Sequence, residues 1–161
     1  MSLLSRLLPV SNIILDLDVT SKKRVFEQAG LIFENTLGIG RSQVFDALFA
    51  RERLGSPGLG HGIGIPHGRI KGLKEAAGAF VRLKSPIPFE APDGGPVNLV
   101  FVLMVPEKAT DVHLQILSEL AQLFSERDMR TALTDAPDAA TAQRLITEWE
   151  PHAPTQRRAA V

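Results

Sequence analysis

Residues 98–104 read Asn-Leu-Val-Phe-Val-Leu-Met. An almost wholly apolar run of this kind leaves no polar face to turn towards water. It suits a strand buried on both sides, and such a strand needs helices over both faces of its sheet. It cannot span a membrane. The densest stretch, Leu99 to Val105, has seven residues, whereas a spanning helix needs ~20. The N-terminal MSLLSRLLPVSNIIL does not read as a signal peptide. It has one Arg, Pro9, Ser11 and Asn12 break its apolar run, and Asp16 and Asp18 stand where a small-residue cleavage site belongs. It reads as a segment leading into a strand.

The rest of the chain alternates strand and helix signals. Ile13 to Leu15 suits a short buried strand. Thr20 and Ser21 are N-cap residues for a helix carrying Val25, Ala29, Ile32 and Phe33, which Gly38 and Gly40 end. Ser42 caps the next helix, with Val44, Phe45, Leu48 and Phe49 on its apolar face. Seven glycines and two prolines between Gly55 and Gly72 forbid a regular helix there. Ile63 and Ile65 mark a short strand inside this stretch. Ala76 to Leu83 reads as a strand, and Pro86 to Pro96 as a turn region. Thr110 or Asp111 caps a helix whose stripe is His113, Leu117, Leu120 and Phe124. A short helix over 128–133 and an amphipathic one over 138–149 follow. The expected fold is a single α/β domain, a mixed sheet flanked by helices in three α/β/α layers. It covers residues 1–150, with 151–161 as a loose tail.

At 161 residues the length matches one domain of roughly 150. Eighteen Lys+Arg balance eighteen Asp+Glu, for a net charge of +0. That argues against nucleic acid as a partner, which calls for a basic surface. The chain has no cysteine, which excludes disulfides, thiol catalysis and cysteine-held metal sites. This composition is compatible with a cytoplasmic location.

The chemistry concentrates in Gly60-His61-Gly62-Ile63-Gly64-Ile65-Pro66-His67-Gly68-Arg69. Glycines on both sides let a ligand or another protein approach closely. Pro66 restrains the chain before His67 and Gly68 leaves space after it. An imidazole with an ordinary pKa of ~6.5 is largely neutral at pH 7 and has a nucleophilic ring nitrogen. From Arg51 to Lys71 the charges are Arg51, Arg53, Arg69 and Lys71 against Glu52, a local +3 in a neutral protein. Such a patch suits phosphate oxygens. A Pro-His-Gly turn with solvated cations explains the same residues equally well. His113 falls in the first turn of its helix, where the positive helix end disfavours imidazolium. A neutral His113 can donate one hydrogen bond to an anion. Taken alone, a core histidine satisfied by backbone is the simpler reading.

Taken together these residues resemble a family. Ala50-Arg51-Glu52-Arg53-Leu54-Gly55-Ser56, then Gly60-x-Gly62-Ile63-Gly64-Ile65-Pro66-His67-Gly68, is similar to the IIA domains of the bacterial phosphotransferase system. Within it the chain looks most like the nitrogen-regulatory IIA proteins, relatives of the mannitol and fructose IIA domains. Ile87-Pro88-Phe89 through Asp93-Gly94, the run from Val97 to Pro106, and His113-Leu114 fit as well. The likeness covers residues 10–150. It implies that His67 is phosphorylated, that His113 lies beside it and supports transfer, and that Arg51, or alternatively Arg53, neutralises the phosphate. It implies a mannitol-IIA-like fold, no cofactor, and a phosphoryl carrier rather than a free-standing turnover enzyme. An HPr-like phosphocarrier protein would be the donor. Regulatory proteins would be the targets, with potassium transport and sensor kinases as candidates. Pro57 departs from the usual Thr, and His61 from the usual Asn or Glu.

Competing readings remain. His61, His67 and His113, with Asp111, could serve a metal-dependent hydrolase. The His-x₅-His spacing is unusual for ligands, and no H-E-x-x-H helix is present. The chain could instead be a IIA component of a sugar permease, or a binding module with an inert loop. No membrane-inserting segment is expected.

Overall fold

The computed structural model describes residues 3–55, 59–108 and 110–151. The apolar run lies within β5 (Val97–Pro106), inside a five-stranded mixed sheet. Its neighbour on one side is β4 (Ala77–Ile87), antiparallel, which in turn pairs in parallel with β1 (Ile13–Leu17). On its other side two short strands, β2 (Ile63–Gly64) and β3 (His67–Ile70), run parallel to it. They lie end to end along one edge of β5, with Ile65 and Pro66 between them. Ile63 pairs with Leu99 and His67 with Leu103.

Every β5 side chain from Leu99 to Val105 is buried, because helices cover both faces. On one face Phe80, Leu99, Phe101 and Leu103 pack against Ile116, Leu120, Leu123 and Phe124 of α3 (Asp111–Ser125). Leu133 of α4 (Arg127–Asp135), Ile146 of α5 (Ala139–Thr147) and the N-terminal Leu4 and Leu8 extend that layer. On the other face Val81, Val100, Val102 and Met104 meet α1 (Lys22–Leu37) through Val25, Phe26 and Phe33. They also meet α2 (Arg41–Glu52) through Val44 and Leu48. The three α/β/α layers are therefore as expected.

The helix ends show where local signals succeed and fail. Ser21 Oγ accepts the Arg24 N–H at 3.2 Å, the cap expected for α1. Gly38 closes that helix with φ 71°, a left-handed conformation that glycine adopts without strain. Ser42, expected to cap α2, instead lies inside it. Gly40 is the N-cap, and the Arg41 N–H donates to Glu34 Oε2 at 3.1 Å, so a carboxylate from α1 replaces the hydroxyl. Two 3₁₀ turns, Leu3–Arg6 and Val10–Asn12, lead into β1. Trp149 is buried beyond the end of α5, its Nε1–H donating to Glu126 Oε2 at 2.8 Å. Residues 152–161, most of the expected tail, lie outside the described residues.

Arg82 sits on β4 among apolar neighbours and is 8% exposed. Its guanidinium donates to the Leu133, Thr134 and Ala136 carbonyls at 2.8–3.2 Å and to both oxygens of Asp16 at 3.0–3.1 Å. It thus supplies donors to the open carbonyls at the end of α4. Those bonds, with the Arg82 charge beside it, hold the Asp16 carboxyl below the usual range.

Candidate functional site

The stretch expected to be a loop carries His67 on the first residue of a strand. β3 packs under α2 at Gly68, where a β-carbon would lie 2.9 Å from Ala47 backbone and Cβ atoms. Only a residue without a side chain permits that approach. Ala47 and Arg51 are one helical turn apart and share a face. The close packing therefore brings Arg51 over the neighbouring His67.

Arg51 Nε–H donates to His67 Nε2 at 3.2 Å, and Nη1 donates to the Gly55 carbonyl at 2.9 Å. On the far side of the ring, His67 Nδ1 lies 3.1 Å from the Ile65 carbonyl. A carbonyl only accepts, so Nδ1 carries the proton and Nε2 keeps its lone pair. Two independent partners thus select one tautomer. Burial, first of all, holds the His67 imidazolium below the ordinary histidine range, and the Arg51 and Arg69 charges add to this. The Ile65 carbonyl and Glu52 oppose that shift without cancelling it. His67 is thus neutral at pH 7.

His113 is 9% exposed at the third position of α3. Its Nδ1 accepts the Thr110 N–H at 3.1 Å. In the neutral ring Nε2 must then carry the hydrogen. The imidazole thus caps its helix through Nδ1 and keeps an Nε2–H donor free of that bond. His67, His113, Arg51 and Arg69 line one cleft of about 560 Å³. Leu54 and Leu114, 81% and 66% exposed, also line it.

The structure brings Arg51 to His67 and leaves Arg53 at the helix end, outside the cleft lining. The signal for this was helical phase, since Val44, Leu48 and Arg51 repeat at i, i+4, i+7. Arg69 was counted as patch charge. Its place in the cleft follows from strand alternation, two residues after His67. His61 is exposed and lies elsewhere, its backbone N–H donating to Asp93 Oδ2 at 3.1 Å. No group of three metal-ligating side chains forms among the described residues, so His61, His67, His113 and Asp111 do not converge on one centre. Nor, among those residues, is any helix long and apolar enough to cross a membrane.

The profile of the phosphoenolpyruvate-dependent sugar phosphotransferase system EIIA 2 family matches residues 6–149. The chain belongs to this family. As an EIIA type 2 domain it is 42% identical over 129 residues to the nitrogen regulatory protein of Pseudomonas aeruginosa, covering 80% of this chain and 84% of that one. It is 37% identical over 131 residues to the protein of the same name from Escherichia coli K12, covering 81% and 80%. The crystal structure of nitrogen regulatory protein IIA-Ntr from Neisseria meningitidis superposes with a TM-score of 0.86 at 50% identity, covering 91% of this chain and 100% of that one. IIA mannitol from Escherichia coli shares the fold, with a TM-score of 0.72 at 19% identity over 86% of this chain and 97% of that one. The EIIA domain therefore has a phosphotransfer role of the nitrogen-regulatory kind, and a metal-dependent hydrolase is not favoured.

Proposed function

We propose that His67 takes up the phosphoryl group through Nε2 and that the protein regulates partners by its phosphorylation state. The observation that carries this is the tautomer. With Nδ1–H held by the Ile65 carbonyl, the Nε2 lone pair lies beside Arg51 in the cleft. The donor would be an HPr-like phosphocarrier protein bearing phosphohistidine. The Nε2 lone pair attacks phosphorus. The donor's N–P bond breaks, its electron pair staying on the donor nitrogen. The Nδ1 proton stays on His67. As the bond to phosphorus forms, Arg51 turns from the nitrogen to the equatorial oxygens, freeing the lone pair, and the His113 Nε2–H donates to them as well. Donors placed in advance where charge gathers are the main contribution a protein makes to this chemistry.

The +3 of charge around the acceptor falls by about 1.5 to 2 when phosphate is added. A partner docked there by acidic groups is released, and the fold need not move. Potassium-transport proteins and sensor kinases remain candidate targets, and a cytoplasmic location suits this role. We place the end of the domain near residue 150.

The test is to incubate the protein with phosphoenolpyruvate and the early phosphotransferase components, then map acid-labile phosphate. Label should appear on His67 and vanish in His67→Ala. Undiminished label in that variant would overturn the assignment.

A further inference from the structure

A second cleft, of about 520 Å³, lies between the N-terminal segment, the end of α1 and the 71–76 loop that joins β3 to β4. It shares no lining residue with the cleft at His67. Small-molecule sites take roughly 300–1,000 Å³, so it is large enough for one. Leu7, Leu37 and Leu73 give it apolar walls, and Leu37 is 46% exposed at the end of its helix. Arg6, Lys74 and Glu75 also line it and are exposed. None of these three makes an ion pair among the described residues.

Asn12 lines the same cleft and is 2% exposed. Its Nδ2 donates to the Gly78 carbonyl at 2.9 Å. That bond fixes the amide, since turning it over would set oxygen against oxygen. Oδ1 is left buried with no hydrogen-bond partner among the described residues. Buried amide oxygens are rarely left so, and the apolar walls offer no donor. The Thr36 hydroxyl lines the cleft too, but it already donates to the Ile32 carbonyl at 2.8 Å.

We propose that this cleft binds a small α-amino acid with an apolar side chain. Its ammonium group donates to Asn12 Oδ1 and meets Glu75. Its carboxylate meets Arg6 and Lys74, and its side chain lies on Leu7, Leu37 and Leu73. Two cations, one anion and one acceptor lacking a donor match a zwitterion. A plain anion leaves Oδ1 unsatisfied, and a plain amine leaves both cations idle. One wall of the cleft is loop rather than sheet, so its side chains can shift to let the ammonium reach Oδ1. The site stands independently of the phosphoryl-acceptor reading of His67.

The test titrates L-valine, L-leucine, L-isoleucine, L-methionine and L-phenylalanine in turn into the full chain and follows the backbone amide resonances by NMR. At least one should give saturable shifts centred on residues 6–12, 36–37 and 73–77 and raise the thermal midpoint. The best binder stripped of its amino group, or of its carboxylate, should bind several-fold more weakly (for leucine these are isocaproate and isoamylamine). Lys74→Gln and Glu75→Gln alter exposed side chains and should fold, and each should weaken binding several-fold. Asn12→Leu removes the acceptor and should abolish binding. If Asn12→Leu does not fold, the two surface variants carry the test. No saturable shift with any of the five would overturn the proposal. So would equal binding of the stripped analogues, or undiminished binding in both surface variants.

Discussion

Ala47 and Gly68 touch so closely that a methyl group at position 68 would lie 2.9 Å from the Ala47 backbone. This contact sets the distance between α2 and β3, and through it the 3.2 Å bond between Arg51 and His67. Gly68→Ala should push the helix outwards at a cost of about 1–3 kcal/mol. Phosphoryl acceptance should fall further than the lost stability explains, because Arg51 moves with the helix. Thermal unfolding and labelling of the folded fraction check this. Full labelling at wild-type rate would show that the contact does not position Arg51.

The depressed proton affinity of His67 sets a pH window. Its folded pKa lies below the ordinary 6.5, so the unfolded chain binds more protons between the two values. Stability therefore rises with pH across that window and loses this contribution as pH drops below 6.5. Labelling should follow the neutral ring and persist below pH 6.5. Arg51→Gln removes one of the two guanidinium charges that oppose protonation, so the midpoint of the pH–rate profile should move up. A midpoint unmoved or lowered by that change would contradict the charge argument.

His113 should support transfer without carrying phosphate. His113→Ala removes the Nε2–H donor, and transfer should slow on the order of 10²-fold, as for other oxyanion donors. The lost bond to Thr110 should cost about 1 kcal/mol, the usual value of a helix cap. Transfer rates and chemical denaturation together separate the two effects. Stable phosphate on His113 would reverse the assigned roles.

Arg82 makes the opposite prediction. Arg82→Met leaves the three α4-end carbonyls without their donor and should destabilise the fold by roughly 3 kcal/mol. Labelling of the folded protein at low temperature should be unchanged, since Arg82 lies outside the cleft. A loss of labelling there would mean that this end of the sheet is coupled to His67.

Much of this was legible in the residues. The run to Met104, the α1 caps and the α3 stripe each carry a strong local pattern, and each element formed. β3 was missed because His-Gly-Arg-Ile has one large apolar residue beside a glycine and two polar residues, too few for period-two alternation to register. The α2 cap was missed because its acceptor is Glu34, a side chain from another helix. Arg82 could not be recognised as buried, because its acceptors lie 51–54 residues away on another element. At the site, motif order located His67 and His113. That Arg51 rather than Arg53 reaches His67 needed only the phase of α2. Away from the site, the Lys22–Glu52 ion pair carries no such signal, since its two residues are thirty apart and meet only when α1 and α2 pack.

The strand bearing His67 is also a broken one. β2 and β3 hold two and four residues along the free edge of the sheet, and Pro66 between them has no N–H to offer. A continuous edge invites another chain to extend the sheet, and short interrupted segments refuse it. A protein arriving at this cleft therefore meets side chains and helix ends rather than a row of backbone groups. On the proposed function, its grip would be set by surface chemistry that a phosphate on His67 changes. Side-chain contacts of that kind part more readily than the ladder of an added strand.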